Sequence, residues 1–186
     1  MTYIWRMFRL VAVVGLTGSG KSEVVSEFEG AGFAKIYFGS LTLEKLNEEK
    51  LEVNEANERM MREKLRAEHG MSAYAKLNIP KIEVEISKGD VVIDGLYSWE
   101  EYTALKEKFP TMEVVAVYSP PVLRYERLAS RPVRPLTNAE AQSRDSAEIE
   151  NLHKAGPIAM ADYTISNTST VVELKNAVQQ ILNGNN

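Results

Sequence analysis

The chain has 186 residues, 44% of them apolar and 26% charged, with a net charge of -4. A chain of that size and balance can bury one globular core, and its negative charge excludes nucleic-acid binding held by bulk positive charge. It has no cysteine, which excludes disulfides, zinc–cysteine sites and thiol catalysis and fits a reducing cytoplasm.

Taken in chain order, the sequence begins with "MTYIWRMFRLVAVVGLTG". The apolar run is too short for a membrane span and ends in a glycine turn, not a small-residue cleavage site. It therefore reads as a first strand, with residues 1 to 6 as a loose extension. "RLVAVVG" is continuously apolar and valine-rich, as in a strand buried on both faces. "KSEVVSEFEGAG" predicts a helix ended by Gly30 and Gly32, and "AKIYF" a second strand. Residues 41–69 predict helix up to Gly70. Residues 72–88 predict a second helical stretch interrupted at Pro80.

"DVVIDG" is another buried-type strand, and Ser98 with Glu101 forms a capping-box pattern for a helix reaching Phe109. "EVVAVYS" predicts a fourth strand. Pro120 and Pro121 open the helix "PPVLRYERLAS", and "RPVRPLT" must be a loop. Thr137 and Glu140 predict a capped helix to about His153. "DYTIS" is a fifth strand, and Thr170 with Glu173 caps the last helix. Strands alternate with helices throughout, which predicts an α/β fold on a five-stranded parallel sheet. The two histidines, His69 and His153, are in no metal-ligand spacing and read as exposed helix-end residues.

One stretch carries specific chemistry. Gly15-Leu16-Thr17-Gly18-Ser19-Gly20-Lys21-Ser22 satisfies G-x-x-x-x-G-K-[ST] without a mismatch, between a buried strand and an amphipathic helix. Glycines let backbone N–H groups curl around phosphate oxygens, and the following helix adds the positive end of its dipole. Lys21 would reach the β- and γ-phosphates and Ser22 would offer its hydroxyl to Mg²⁺. The nucleotide-binding set expected here is Gly15, Thr17, Gly18, Ser19, Gly20, Lys21, Ser22 and Glu23. Asp94 ends the strand "VVID", where a carboxylate either holds Mg²⁺ or makes a turn with Gly95.

Arginines form two groups. Arg124, Arg127 and Arg131 share a helical face, followed by Arg134 and Arg144. They suit a lid whose guanidinium groups neutralise a transferring phosphoryl group, and equally a surface helix paired with Glu126 or Asp145. Arg59, Arg62 and Arg66 share another face. They suit an acceptor phosphate, or surface pairs such as Glu58–Arg62.

The stretches "GLTGSGKS", "LRAEHGMSAYAKL", "VVIDGLYSWEE", "RYERLASR", "RDSAEIE" and "AMADYTISN", in that order and spacing, resemble P-loop kinases of the nucleoside monophosphate kinase and dephospho-CoA kinase group. More narrowly, the chain resembles a dephospho-CoA-kinase-like family found mainly in archaea. The resemblance implies a single P-loop NTPase domain, a three-layer αβα sandwich. Residues 41–88 would form its helical acceptor-binding segment and residues 121–154 its helical lid. It implies ATP and Mg²⁺ as cofactors and a small-molecule phosphoryl acceptor, with no nucleic-acid or membrane partner. It further implies that Lys21, Arg127, Arg131, Arg134 and Arg144 face the phosphates, that Asn167 lies near the nucleotide base, and that Arg66 lies on the acceptor side. Two positions depart from the pattern: Ser40 stands where monophosphate kinases have aspartate, and Tyr97 where the narrower family has arginine. Both fall where an acceptor would bind, so Ser40, Arg66, Asp94 and Tyr97 are the expected acceptor-side residues. No Asp or Glu occurs from Gly30 to Thr42. A hydroxyl acceptor needs a base and an ionised phosphate acceptor does not. The expectation is thus a nucleoside monophosphate or a similar phosphorylated metabolite, with dephospho-CoA as the alternative. A nucleotide-dependent ATPase switch is the reading from a different class.

Overall fold

The computed structural model describes residues 8–184, so the proposed extension of residues 1 to 6 lies outside the described residues. Five strands form one parallel sheet: β1 (Leu10–Val14), β2 (Ala34–Tyr37), β3 (Val91–Asp94), β4 (Glu113–Tyr118) and β5 (Tyr163–Ser166), in the order β2-β3-β1-β4-β5. β1 is the central strand because both its faces are apolar. Val11 and Val13 point to one side, Ala12 and Val14 to the other, and all four are fully buried.

Helices cover the two faces. On the first, α1 (Lys21–Gly30) and α9 (Val171–Leu182) pack Val24, Val25, Phe28, Val178 and Ile181 against Val11 and Val13. On the second lie α2 (Ser40–Glu48), α3 (Glu55–His69), α4 (Ala73–Ile86) and α5 (Trp99–Lys108), contributing Leu46, Met61, Tyr74, Ile82 and Leu105. The result is the expected α/β three-layer sandwich. Beyond β4 the chain forms α6 (Pro121–Ala129), α7 (Asn138–Glu150) and the short α8 (Ala155–Ala159). Among the described residues no helix is long and apolar enough to cross a membrane.

Several boundaries differ from the sequence reading, each for a local reason. The helix expected over 41–69 is two helices. Lys50 turns left-handed (φ 55°) after α2, and the Asn54 side chain accepts the N–H of Asn57 to start α3. The helix expected to break at Pro80 does not break; α4 runs through it. Pro80 is exposed, so the carbonyl of Lys76 that loses its bond faces solvent, while Asn78 bonds the carbonyl of Tyr74 inside. α7 ends at Glu150 and not at His153, which itself adopts φ 52°. The α8 turn has too short a pattern to be legible beforehand. Thr137 and Glu140 make a complete capping box. Ser98 caps α5, but the Glu101 carboxylate turns to the N–H of Tyr97 instead.

The uninterrupted α4 gives a direct test. Pro80→Ala is expected to stabilise the fold by about 1–2 kcal/mol. The penalty of proline inside a helix is ~3 kcal/mol, offset in part by a looser unfolded chain. Chemical denaturation of the two chains checks both sign and size.

Candidate functional site

β1 delivers the glycine-rich loop to the middle of the sheet's C-terminal edge, flanked by the ends of β3 and β4. The loop closes with the Ser19 N–H on the carbonyl of Leu16 at 3.1 Å. Gly20 caps α1 in a left-handed conformation (φ 98°) and, among the described residues, no side-chain cap bonds the first turn of that helix. The Lys21 and Ser22 N–H groups can therefore take an anion, while that of Glu23 bonds the Gly20 carbonyl. A β-carbon at Gly15 would collide with the carbonyl of Val117, and one at Gly20 with the Asn167 amide. These two glycines serve the close packing of the loop on its neighbours as well as its curvature. Asn167 donates to the carbonyl of Ser19 at 2.8 Å. The Ser19 hydroxyl is buried with no hydrogen-bond partner among the described residues.

Lys21 donates to the carbonyl of Leu16 at 3.0 Å. Burial, reinforced by the charge of Lys154, lowers its pKa to about 8, against the opposing pull of Glu148 and Asp94. Asp94 lies in register with Val13 and is 3.6 Å from the Lys35 ammonium. The loop amides, the unpartnered Ser19 hydroxyl, Ser22 and Asp94 make a donor set that fits a magnesium-bound nucleotide phosphate. Among the described residues no group of three or more His, Cys, Asp or Glu could hold a metal by itself. Ser22 and Asp94 would thus share such an ion with phosphate oxygens.

Two cavities flank the loop. The smaller, about 550 Å³, is bounded by Gly20, Ser22, Glu23, Arg127, Arg131 and Asn167. Arg127 is braced there by bonds to the Ser119 hydroxyl (2.9 Å) and the Asn167 carbonyl (3.0 Å). The larger cavity, about 890 Å³, is lined by five arginines, Arg59, Arg62, Arg66, Arg134 and Arg144, together with Tyr37, Tyr74 and Tyr97. The arginines that sequence spacing grouped into one lid thus divide between the two sides. Arg124 faces neither. It is buried, paired to Asp145 through two bonds of 2.6 and 2.5 Å. Of the pairing alternative, the Asp145 partner holds for Arg124, but the pair is buried and not on a solvated surface. Ser40 bonds to Glu44 on its own helix, beside the wall formed by Gly39 and Thr42. Arg134, at φ 51°, reaches Glu58 on α3 at 3.7 Å and so spans the larger cavity. Tyr97 hydrogen-bonds with Tyr37, and burial keeps its phenol protonated.

Three buried ionisable groups, Glu148, Lys154 and Glu101, were not picked out as site residues by the sequence. Glu148 on α7 accepts from the Thr17 hydroxyl, from the Thr17 N–H at 3.2 Å and from the Lys154 ammonium at 2.9 Å. Burial would raise its pKa; the charge of Lys154 and the Thr17 bond outweigh that and hold it at about 2. Lys154 itself is buried and lies 5.3 Å from the Tyr97 ring. Glu101 is fully buried, with one carboxylate oxygen on the Tyr97 N–H and the other unpartnered among the described residues. Burial pushes its pKa up to about 7 despite the nearby charges of Arg66 and Lys154. Only the "RDSAEIE" pattern hinted at any of this, since Asp145 and Glu148 share a helical face.

A family model described as an AAA domain matches residues 11–149. The UPF0200 protein of Thermococcus gammatolerans is 37% identical, over 95% of this chain and 97% of its own. The UPF0200 protein of Sulfurisphaera tokodaii is 35% identical over the same shares. The chain belongs to the UPF0200 family and carries an AAA domain. Among solved structures it resembles TT1252 from Thermus thermophilus, with a TM-score of 0.68, 16% identity and coverage of 96% of this chain and 98% of that one. It also resembles a shikimate kinase from Bacteroides thetaiotaomicron (TM-score 0.60, 16% identity, 95% and 97% covered). The dephospho-CoA kinase from Campylobacter jejuni is a further likeness (TM-score 0.55, 15% identity, 96% and 97% covered). At these identities the likeness is one of fold, and that fold is P-loop kinase-like. The matched span of this UPF0200 chain includes the phosphate loop, Asp94, Arg124 and Glu148, and stops before Lys154 and Asn167.

Arg124→Ala should cost about 3–5 kcal/mol, because it strands the Asp145 carboxylate in a buried position. The double variant Arg124→Met, Asp145→Leu should recover only part of that loss in a thermal melt, because the carbonyls of Thr17 and Ser119 still lack their donor. Glu101 has the opposite pH signature from a salt-bridged carboxylate. Its folded pKa lies above its ordinary value near 4.5, so the folded chain holds a proton that the unfolded chain has lost. Its contribution is full below about pH 4.5 and is lost as pH rises through 7, by about 3 kcal/mol. Unfolding free energies measured from pH 4.5 to 7.5 should fall more steeply for the wild type than for Glu101→Gln.

Proposed function

We propose that this protein is an ATP- and Mg²⁺-dependent kinase that transfers the γ-phosphoryl group to a small phosphorylated acceptor, a nucleoside monophosphate or a similar metabolite. The observation that carries this reading is the charge of the larger cavity. Among the described residues its five arginines face three carboxylates, Glu58, Glu63 and Glu148. Glu58 and Glu63 are each already paired with an arginine of the wall, and Glu148 is held by Thr17 and Lys154. The cavity therefore favours an anion and, among the described residues, offers no idle base to a hydroxyl. A phosphate acceptor is already ionised and needs positioning alone.

The residues divide the work. The loop amides and Lys21 hold the donor's phosphates, and Arg127, Arg131 and Asn167 bound the cleft for the rest of the nucleotide. When Mg²⁺ is bound it neutralises charge on the phosphate oxygens; Ser22 and Asp94 would hold it. Arg66 and Arg144 orient the acceptor phosphate. An acceptor oxygen attacks the γ-phosphorus, the bond from that phosphorus to the β–γ bridging oxygen breaks, and ADP leaves. Arg134 and Arg144 approach from the lid side and neutralise the charge that spreads over the transferring group. The volume of about 890 Å³ also favours a second, larger acceptor, dephospho-CoA. Its ribose hydroxyl would need Asp94 as base.

An ADP-release assay with ATP or GTP across nucleoside monophosphates, their deoxy forms and dephospho-CoA tests the proposal. One acceptor should accelerate ADP release. Lys21→Ala should then lower kcat/KM by roughly 100-fold or more. Arg66→Ala should raise the acceptor KM by about tenfold or more while leaving the nucleotide KM in place. A chain that releases ADP at the same slow rate with every acceptor would instead be an ATPase switch.

A further inference from the structure

Glu148 stands at an unusual junction. It lines the larger cavity and, at the same time, bonds the phosphate loop through both the N–H and the hydroxyl of Thr17. Its remaining partners are also hydrogen-bond donors: the Lys154 ammonium at 2.9 Å and, at 3.4 Å, Nε of Arg144. A loop amide, a hydroxyl, an ammonium and a guanidinium converging on one point make an anion site. Here a carboxylate of the chain itself fills that site, reaching in from α7, whose N-terminal end follows the loop bearing Arg134. The side chain is 9% exposed, so its charge meets little screening by water. Lys21, whose nitrogen sits on the Leu16 carbonyl, lies within the electrostatic reach of the same carboxylate.

We propose that Glu148 is a positioning residue that decides whether the phosphoryl group goes to the acceptor or to water, by occupying the anion position between the donor loop and the acceptor cavity until substrate phosphate displaces it. This rests on the kinase reading above. With Glu148 seated on Thr17, the terminal phosphate of the donor meets a fixed negative charge and is not drawn fully into the loop. Water attack on the γ-phosphorus, which would break the same β–γ bridging bond and yield ADP, inorganic phosphate and a proton, is thereby suppressed. An acceptor phosphate in the larger cavity competes for Arg144. Glu148 then loses one of its four donors and its carboxylate leaves the loop, which loosens the C-terminal end of α7 while Arg124 still holds Asp145; Thr17 and Lys154 become available to the transferring group. The carboxylate thus makes the seating of one phosphate depend on the arrival of the other.

Glu148→Gln tests this, since the amide oxygen still accepts from Thr17 while the charge is gone. The probe is inorganic tripolyphosphate, which reads loop occupancy without any reaction, measured by titration calorimetry. The variant should bind tripolyphosphate about tenfold more tightly than wild type, and its ATP hydrolysis without acceptor should rise by a similar factor. Unchanged or weaker binding overturns the proposal, because Glu148 would then organise the loop for phosphate and not guard it. Hydrogen exchange on the wild-type chain keeps the test decisive if the variant does not fold. Tripolyphosphate should slow exchange in peptides over 15–22 and speed it in peptides over 144–154; slowing in both overturns the proposal. If no acceptor accelerates ADP release but the variant still binds tripolyphosphate more tightly, the kinase reading fails and the guarding role of Glu148 stands.

Discussion

The guanidinium of Arg124 gathers oxygens from three separate segments: the carbonyl of Thr17 in the phosphate loop, the carbonyl of Ser119 after β4, and both carboxylate oxygens of Asp145 on α7. It is 2% exposed, so each of those bonds forms away from competing water. Arginine suits the position because its planar fork satisfies a carboxylate bidentately and still has donors for two carbonyls. The arrangement ties α6 and α7 to the glycine-rich loop after β1. Glu148 is three residues beyond Asp145 on the same helical face, and its contact with Thr17 depends on α7 being held there.

The two sides of the loop then acquire different characters. On one, Arg127 is braced against Ser119 and Asn167, which turns a flexible side chain into part of a wall. On the other, arginines of α3 and of the α6–α7 region face each other across a cavity that three tyrosines also line. Buried charges are expensive unless paired and hydrogen-bonded. Glu148 meets that condition and stays ionised, whereas Glu101, with one oxygen unpartnered among the described residues, is pushed towards its neutral form. Two glutamates of one chain thus carry opposite protonation behaviour: the Lys154 ammonium and the Thr17 donors outweigh burial at Glu148, and among the described residues nothing as close does so at Glu101.

The order of elements and the parallel sheet were legible because the signals were local and strong. Valine-rich runs marked β1, β3 and β4, and the motif from Gly15 to Ser22 needed only its strand and helix to be convincing. Helix ends were less legible. The break at Lys50 depends on one left-handed residue, and the passage of α4 through Pro80 depends on which side of the helix faces water. The arginines show the limit most clearly. Spacing along a helix told correctly that Arg124 and Arg127 share a face, yet one is buried on Asp145 and the other borders the smaller cavity. Lys154 had no pattern at all, being a single lysine in a short irregular segment.

What the sequence determined by itself was the phosphate loop and the layered α/β frame that carries it. Both arise from neighbours in the chain: backbone freedom at glycine, the alternation of apolar side chains along strands, and the caps of helices. What only the tertiary structure decided was the partner of each charge. Arg124 with Asp145, Glu148 with Thr17 and Lys154, and Glu101 near Arg66 join residues whose separations in sequence follow no period. A charge finds its partner through the folded path of the whole chain, and the low dielectric at that meeting point sets both its protonation and its strength.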